Sequence, residues 1–260
     1  MQTTSTREVL KLCFVNEKDI NQTLYENENQ IGLDEVGRGC LAGPVCAAAV
    51  VLDIEKVKAC IESKEPRLAM IRDSKKVTKR QRVLLVPFIK ELCKAHSIAF
   101  VSNGEIDQIN ILHATMRAMH KAIDDVGGQL DRIDRIIVDG TYFKPYLNKK
   151  QIHIGEDESR IGEESYSDHS MFVPSETVVS GDNTYISIAA ASILAKTYRD
   201  DYMDTICDGK YDWKNNKGYG TPKHLAGIYK YGLSEHHRMT FKFPKQKINT
   251  SISEQYEDSL

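Results

Sequence analysis

The stretch from Ile31 to Leu52, IGLDEVGRGCLAGPVCAAAVVL, constrains the fold more than any other part of the chain. Two adjacent acids, Asp34 and Glu35, precede a glycine-rich turn, and the apolar run Val45–Leu52 that follows is long enough for a buried strand. A buried, unpaired carboxylate is costly and usually takes up a proton instead. A divalent metal ion is the simplest partner for such acids, and the glycines give a strand end the freedom to present both acids to one ion. The alternative is a solvated acidic strand end.

The chain as a whole has the composition of a soluble globular protein, with 41% hydrophobic and 28% charged residues among 260. No apolar run approaches the ~20 residues that span a bilayer, and the N-terminus is too polar for a secretory signal. We therefore expect a cytoplasmic protein with no membrane contact. The six cysteines have no zinc-binding spacing, which indicates buried free thiols. The net charge of −2 means that binding to nucleic acid would depend on local patches.

Hydrophobic periodicity predicts strands that alternate with helices. Pro87 is expected to kink or divide the second helix, and Gly127-Gly128 to end the third. The alternation predicts an α/β fold with a central mixed β-sheet flanked by helices and a C-terminal helical extension. The predicted strands are at about 30–36, 45–52, 97–101, 135–138 and 177–180, and the predicted helices at about 54–63, 78–95, 106–126, 185–206 and 221–231.

We expect a single catalytic domain over residues 1–260, with its core at about 28–207. Residues 144–175 lack periodicity, and six acids between 156 and 168 mark this part as an acidic insertion. Residues 208–247 carry nine Lys/Arg against three acids, with aromatic residues between them, and are expected to be helical and to bind substrate. We also expect a short N-terminal helix before residue 30 and a disordered tail at 248–260. The protein is expected to be a monomer.

Three short apolar runs lead into acids at predicted strand ends: Asp34 with Glu35, then Asp139, then Asp182. Strand ends are where α/β folds bind ligands. Four carboxylates brought together would repel and raise one another's pKa values unless cations offset the charge. Hard oxygen ligands suit Mg²⁺ or Mn²⁺, and a pair of such ions supports phosphodiester hydrolysis. We therefore expect these four acids to be catalytic and to bind two ions.

The same motifs closely resemble those of the ribonuclease HII family. IGLDEVGRGCLAGPV (31–45) is similar to its opening motif, Val138-Asp139-Gly140 to its Val-Asp-Gly motif, and SIAAASILAKTYRD (187–200) to its buried helix. Ser180-Gly181-Asp182 is similar to its Lys-Gly-Asp motif, with serine where lysine is usual. The resemblance implies a ribonuclease H-like fold. It also implies an endoribonuclease that hydrolyses the RNA strand of RNA/DNA hybrids and nicks duplex DNA 5′ of embedded ribonucleotides, leaving 3′-hydroxyl and 5′-phosphate ends.

The resemblance also implies which residues bind the nucleic acid. A ribose 2′-hydroxyl both donates and accepts, so backbone amides at close-lying glycines can bond it, and a tyrosine ring can pack on the adjacent sugar. Lys75 and Lys76 would contact phosphates, with support from Lys217, Lys223, Arg238 and the basic tail. The residues that match substrate positions of the family are Gly37, Arg38, Gly39 and Tyr219, which read the ribose at an RNA–DNA junction, and Ser74, Lys75 and Asn110.

Structural roles remain open for several of these residues. Arg38 could form a salt bridge with a nearby acid, Tyr219 could be a turn residue over the core, and Ser74 and Asn110 could be cap or turn residues. The lysines at 75–82 could form a solvated face. Three histidines fit no zinc motif and are expected to face the hybrid or the solvent: His224, His236 and His237.

Two other functions compete with the leading one. The first is a related metal nuclease of the same fold, such as a resolvase or an integrase-like enzyme. The Gly-Arg-Gly and Lys-Gly-Tyr-Gly-Thr elements argue against it, because both match a ribose-sensing apparatus. The second is a catalytically silent module that binds RNA/DNA hybrids. The four acids argue against it, because a pure binder gains nothing from negative charge clustered beside phosphate.

Overall fold

The structure, a computed structural model, describes residues 28–147 and 172–244. The predicted N-terminal helix, most of the acidic insertion and the C-terminal tail lie outside these residues. The strands are β1 Gln30–Val36, β2 Val45–Leu52, β3 Cys93–Val101, β4 Arg135–Asp139 and β5 Ser175–Val178. The helices are α1 Ile54–Glu62, α2 Lys79–Leu92, α3 Asn103–Gln129, α4 Ile186–Thr205, α5 Trp213–Asn216 and α6 Pro222–Tyr231.

The five strands form one mixed sheet in the order β3-β2-β1-β4-β5. β1 pairs antiparallel with β2, and β2 pairs antiparallel with β3, whereas β4 pairs parallel with both β1 and β5. In the parallel pair of β1 and β4, Leu33 lies opposite Val138. The acids that follow these two residues, Asp34 and Asp139, therefore leave the sheet at the same edge. The predicted mixed α/β sheet is confirmed.

Both faces of the sheet are covered, which explains why β2 is apolar along its whole length. Alternate residues of a strand face opposite sides. Cys46, Ala48 and Val50 pack with α1, α2 and α4 on one face, and the residues between them pack with α3 on the other. The site-bearing strands therefore lie in the middle of a three-layer structure.

Helix α4 packs unusually close to β1. Its first half is buried all round, as the small apolar side chains of ISIAAASILA predict. A Cβ atom at Gly32 in β1 would lie 2.5 Å from the backbone of Ser187, so only glycine allows this approach. The close contact brings Ser192 and Lys196 of α4 to the edge of the sheet where the acids emerge.

Several predicted boundaries are corrected by the structure. Helix α3 begins at Asn103 and continues through Gly127-Gly128 to Gln129, because Gly127 is buried against the fold and does not adopt a positive φ. Asn110 interrupts α3 with φ 63° and ψ 166°. Helix α2 includes Pro87 without being divided, and it ends at Leu92, where β3 begins four residues before the predicted strand.

The C-terminal part is helical, as predicted, and packs beside α4 through a small apolar cluster. Trp213 and Tyr211 stack with ring centroids 4.8 Å apart and lie against Ala42 and Met203. Thr221 caps α6 and Pro222 occupies its first turn, as the sequence indicated. The described cysteines at 40, 46, 60, 93 and 207 are free. Within the described residues, no helix is long and apolar enough to cross a membrane.

Candidate active site

Three aspartates that lie far apart in the sequence meet at one edge of the sheet. Asp34 is on β1, Asp139 ends β4, and Asp182 lies in a short 3₁₀ turn after β5. One carboxylate oxygen from each lies within 4.8 Å of the others. The parallel register of β1 and β4 brings the first two together, and the backbone N–H of Gly181 donates a 2.7 Å hydrogen bond to Asp139 Oδ1, which holds the third beside them.

Glu35, the fourth predicted acid, faces the same cavity but is not part of this three-oxygen group. It continues the regular pairing of β1 with β2, opposite Ala47, so it points differently from Asp34. Its carboxylate accepts a 3.2 Å hydrogen bond from Arg38 Nη1. The salt bridge that the sequence left open for Arg38 is therefore present.

Burial and mutual repulsion raise the pKa values of three of the four acids. Burial, with the neighbouring charges of Glu35 and Asp139, raises the pKa of Asp34 well above its usual range. Burial also raises the pKa of Glu35, although Arg38 opposes the shift. Burial and the charge of Asp139 raise the pKa of Asp182 to about 6. Such a buried group of oxygen donors, costly as bare anions, is the donor set that hard divalent cations bind.

Asp34, Glu35 and Asp139 line a cavity of about 500 Å³, and Asp182 lies outside its lining. Its other walls come from the turn after β1, the 3₁₀ turn at residues 74–76, helix α4 and the C-terminal part. Six of the predicted substrate residues line this cavity together with these three acids, and they are Gly37, Arg38, Gly39, Ser74, Lys75 and Tyr219.

Asn110 is the predicted substrate residue that the structure places outside this cavity lining. Its side-chain oxygen accepts hydrogen bonds from the backbone N–H groups of Leu112 and His113, at 3.0 and 3.1 Å. These contacts cap the second part of α3 where the helix is interrupted. The structure therefore gives Asn110 the cap role that the sequence left open.

The histidine prediction is wrong for two of its three residues. His224 and His237 are 0% and 1% exposed, so they face neither solvent nor a bound duplex. They lie beside Trp213 in the C-terminal cluster and bond each other through their Nε2 atoms at 3.1 Å. Aromatic residues spaced along a basic segment did not reveal that the rings pack on one another. The third, His236, is partly exposed.

The expected support for phosphate contacts is wrong for Lys217 and Arg238, which are 8% and 2% exposed. Three other cavity or supporting residues were not predicted, and they are Ser192, Lys196 and Arg199. Ser192 and Lys196 on α4 line the cavity. Arg199 and Arg238 lie behind it, fully buried, and their guanidinium groups donate to backbone carbonyls of the turn after β1. Charged residues are not normally expected to be buried. Arg199, however, lies on the same helix as the apolar run ISIAAASILA, and this position could have indicated its burial.

The comparisons with known proteins agree with this geometry. A family model described as Ribonuclease HII matches residues 31–243. The ribonuclease HII of Christiangramia forsetii is 42% identical over 213 residues, which are 81% of this chain and 89% of that protein. The ribonuclease HII of Bacteroides thetaiotaomicron is 41% identical over 221 residues, which are 84% of this chain and 92% of that protein.

Solved structures of more distant proteins share the fold. Ribonuclease H2 from Pyrococcus horikoshii superposes with a TM-score of 0.59 at 20% identity, covering 82% of this chain and 94% of that one. The chain in the PCNA:RNase HII complex from Archaeoglobus fulgidus has a TM-score of 0.56 at 20% identity, covering 85% and 98%. The ribonuclease H-like fold is thus confirmed. The chain belongs to the ribonuclease HII family, and it is an endoribonuclease that acts on RNA/DNA hybrids.

Proposed function

We propose that this endoribonuclease nicks duplex DNA on the 5′ side of embedded ribonucleotides as well as cutting continuous hybrids, and leaves 3′-hydroxyl and 5′-phosphate ends. The observation that carries the proposal is the meeting of three aspartate carboxylates within 4.8 Å at the edge of a cavity of about 500 Å³. A cavity of this size fits a nucleotide unit of a strand. Its walls combine acids, glycine backbone and cations.

Asp34, Asp139 and Asp182, with Glu35 beside them, would hold a pair of Mg²⁺ or Mn²⁺ ions. The fit rests on the donors: all are carboxylate oxygens, and burial disfavours their bare charges. When bound, such ions lower the pKa of a water molecule and offset the charge that develops on the scissile phosphate and the leaving 3′-oxygen. Arg38 keeps the Glu35 carboxylate in place through their 3.2 Å contact.

The remaining cavity residues would position the substrate. Gly37, Arg38 and Gly39 present backbone to the ribose, where N–H groups can bond a 2′-hydroxyl. Tyr219 is 39% exposed, lines the same cavity and bridges Cys40 of the turn, and its ring can pack on the next sugar. Lys75 and Lys196 line the cavity as cations and can contact phosphate oxygens. A deoxyribose at the cutting position lacks the hydroxyl, so it is rejected.

The wider setting follows from the same proposal. We infer a monomer in the cytoplasm whose catalytic domain includes the basic C-terminal part, because Tyr219 from that part lines the cavity with the acids of β1 and β4. The curated relatives named above come from bacteria, which supports a cytoplasmic role. The acids also distinguish this enzyme from a silent hybrid-binding module, since clustered carboxylates would weaken binding to phosphate unless cations accompany them.

The test is a duplex DNA with one ribonucleotide, labelled at each end of that strand in turn. The proposal expects one cut immediately 5′ of the ribonucleotide, a 3′-hydroxyl that a polymerase can extend, and a 5′-phosphate that a phosphatase removes. An all-DNA duplex of the same sequence is the control and should stay intact. A cut 3′ of the ribonucleotide, or a 2′,3′-cyclic phosphate end, would refute the proposal.

A further inference from the structure

The turn after β1 is fixed from behind by a buried guanidinium. Arg238 is 2% exposed, and it donates to three carbonyl oxygens: Gly43 at 3.0 Å, Arg38 at 2.8 Å and Gly37 at 2.6 Å. No carboxylate accepts from it among these contacts. Burial lowers its pKa to about 10, which still leaves the group charged at neutral pH. Because Arg238 is buried and its N–H groups bond the carbonyls of a single turn, we assign it a positioning role.

These contacts decide which way the peptide groups of the turn point. In a trans peptide the C=O and the N–H point in opposite directions, and the structure has no cis peptides among its described residues. Because the carbonyls of Gly37 and Arg38 point at the guanidinium, the N–H groups of Arg38 and Gly39 point away from it. The turn lines the cavity, so Arg238 sets the two donors that face a ribose. Gly37, with φ 94°, would otherwise be free to flip.

His237, the neighbour of Arg238 in the chain, connects to Tyr219 through His224. The His224 Nδ1–H donates to the Tyr219 carbonyl at 2.9 Å, because a carbonyl can only accept. His224 Nε2 is therefore an acceptor, and it receives the Trp213 indole N–H at 3.0 Å and the His237 Nε2–H at 3.1 Å. His237 Nδ1 in turn accepts from the backbone N–H of Ser234 at 2.9 Å. Both rings are thus neutral, and every ring nitrogen is used.

Adjacent residues of one short segment therefore hold both the glycine turn and Tyr219. His237 bonds through His224 to the backbone of Tyr219, and Arg238 bonds to the backbone of Gly37 and Arg38. The backbone of the segment also pairs with the turn, because Gly43 N–H donates to His236 O at 2.8 Å and Arg238 N–H donates to Leu41 O at 2.9 Å. The turn also pairs directly with the residue before Tyr219, because Leu41 N–H donates to Gly218 O at 2.8 Å. The side-chain bonds of His237, His224 and Arg238 add to this pairing in fixing the spacing between the turn and Tyr219.

We propose that His237, Arg238 and His224 form a clamp of positioning residues. Together with the direct pairing of Leu41 with Gly218, the clamp fixes the glycine turn relative to Tyr219, and thereby makes the enzyme selective for a single ribonucleotide in DNA. The inference rests on the proposed function. A continuous hybrid offers a 2′-hydroxyl at every position, so a loosened cavity can still engage one. A lone ribonucleotide offers one 2′-hydroxyl in one register. It is bound productively only when the glycine turn and Tyr219 are at the right distance from each other.

The experiment measures kcat/KM for a single-ribonucleotide duplex and for a continuous hybrid, and compares the ratio of the two between variants. Arg238→Lys keeps the charge but loses the planar fork that reaches three carbonyls. We expect it to lower the ratio about tenfold or more. His237→Leu should lower the ratio as well. His237→Gln keeps an amide N–H near the position of Nε2 and should restore most of it.

Ile123→Ala is the matched control, because Ile123 is fully buried on the other face of the sheet, in the cluster that contains α3. Loss of stability lowers the fraction of active enzyme equally for both substrates, so this variant should leave the ratio unchanged. A ratio that stays at the wild-type value in Arg238→Lys and His237→Leu, while the wild type cuts both substrates, overturns the clamp and leaves the proposed function intact. A wild type that cuts the continuous hybrid but not the single-ribonucleotide duplex overturns both.

Discussion

The backbone N–H of Gly181 donates a 2.7 Å hydrogen bond to Oδ1 of Asp139, and this contact joins the end of β4 to the turn that carries Asp182. Gly181 is also held closely, since a Cβ there would lie 2.6 Å from Ile188 Cδ1 on α4. The turn therefore lies directly against α4, and the hydrogen bond to Asp139 keeps the two carboxylates together. The acids stay together at the expense of stability, and that cost gives the first prediction.

Asp182→Asn should stabilise the metal-free protein at pH 7. The pKa of Asp182 is raised to about 6, so the folded state binds more protons than the unfolded state as pH rises from about 4 to about 6. Its contribution is favourable only below that range, and it is lost as pH rises through 6. Removing the charge should raise the free energy of unfolding by about 1–3 kcal/mol in EDTA.

Denaturant unfolding of the wild type and the variant at pH 7 and pH 4 checks this. The difference between the two proteins should shrink at pH 4, where the wild-type carboxyl is already protonated. Mg²⁺ should stabilise the wild type more than the variant. A variant that is less stable than the wild type in EDTA at pH 7 would contradict the electrostatic explanation.

Asp139→Asn should nearly abolish cutting while it spares binding. The carboxylate lies among the three that would hold the ions, and the amide still accepts the Gly181 N–H. We expect cleavage to fall by a factor on the order of 10³ or more, with the Kd for a hybrid in EDTA unchanged or lower. Asp131→Asn, at an exposed site before β4, is the control and should cut normally. Equal activity of the two variants would exclude Asp139 from the reaction.

Tyr219→Ala should weaken cutting of a single-ribonucleotide duplex more than cutting of a continuous hybrid. The ring is half-exposed at the cavity wall, where it can pack on the sugar beside the ribonucleotide. Tyr219→Phe keeps the ring and should retain most activity on both substrates. Steady-state kinetics on the two substrates separates these outcomes. Equal losses on both substrates in Tyr219→Ala would remove the junction-sensing role.

Trp213 is the only tryptophan in the sequence, and it reports on the neutral state of the buried histidines. Its N–H donates to His224 Nε2, which a doubly protonated ring could not accept. Burial lowers the pKa of His224, and burial with the charge of His224 lowers that of His237 to about 4. Stability from the histidine pair is therefore present above pH 6.5 and lost as pH falls towards 4.

Trp213 fluorescence should accordingly stay constant from pH 8 to about pH 5 and change near pH 4. The measurement belongs in a His236→Gln background, because that partly exposed ring lies 5.9 Å from the indole. Circular dichroism on the same samples separates local protonation from unfolding. A transition near pH 6.5 would mean that the rings are accessible and that the pair does not hold Tyr219 as described.

The sequence predicted the acids well because their positions follow from strand geometry. Asp34 and Asp139 each end an apolar run, and parallel register is enough to bring them together. Asp182 was placed at a strand end, whereas it lies four residues past β5, after Ser180 in a left-handed conformation with φ 56°. That conformation is local to the turn, and hydrophobic periodicity carries no signal for it.

The burial of Arg238 could not be predicted from the sequence for a different reason. Arg238 reaches carbonyls about 200 positions away, and carbonyl oxygens are the same at every residue, so no side-chain pattern marks the partner. His224 and His237 were expected to face the hybrid or the solvent because their spacing fits no zinc motif, and nothing in the sequence pairs the two rings. Their burial depends on stacking between Tyr211 and Trp213, which only the tertiary fold creates.

The most direct test of the central claim, that these carboxylates hold cations which act at the scissile phosphate, uses sulfur in place of one non-bridging oxygen of that phosphate. Mg²⁺ binds sulfur poorly, whereas Mn²⁺ tolerates it better. One diastereomer of the single-ribonucleotide duplex should be cut at least ~10-fold more slowly in Mg²⁺ and regain most of its rate in Mn²⁺. Equal rates for both diastereomers and the unmodified duplex in Mg²⁺, or cutting that persists in EDTA, would contradict the account.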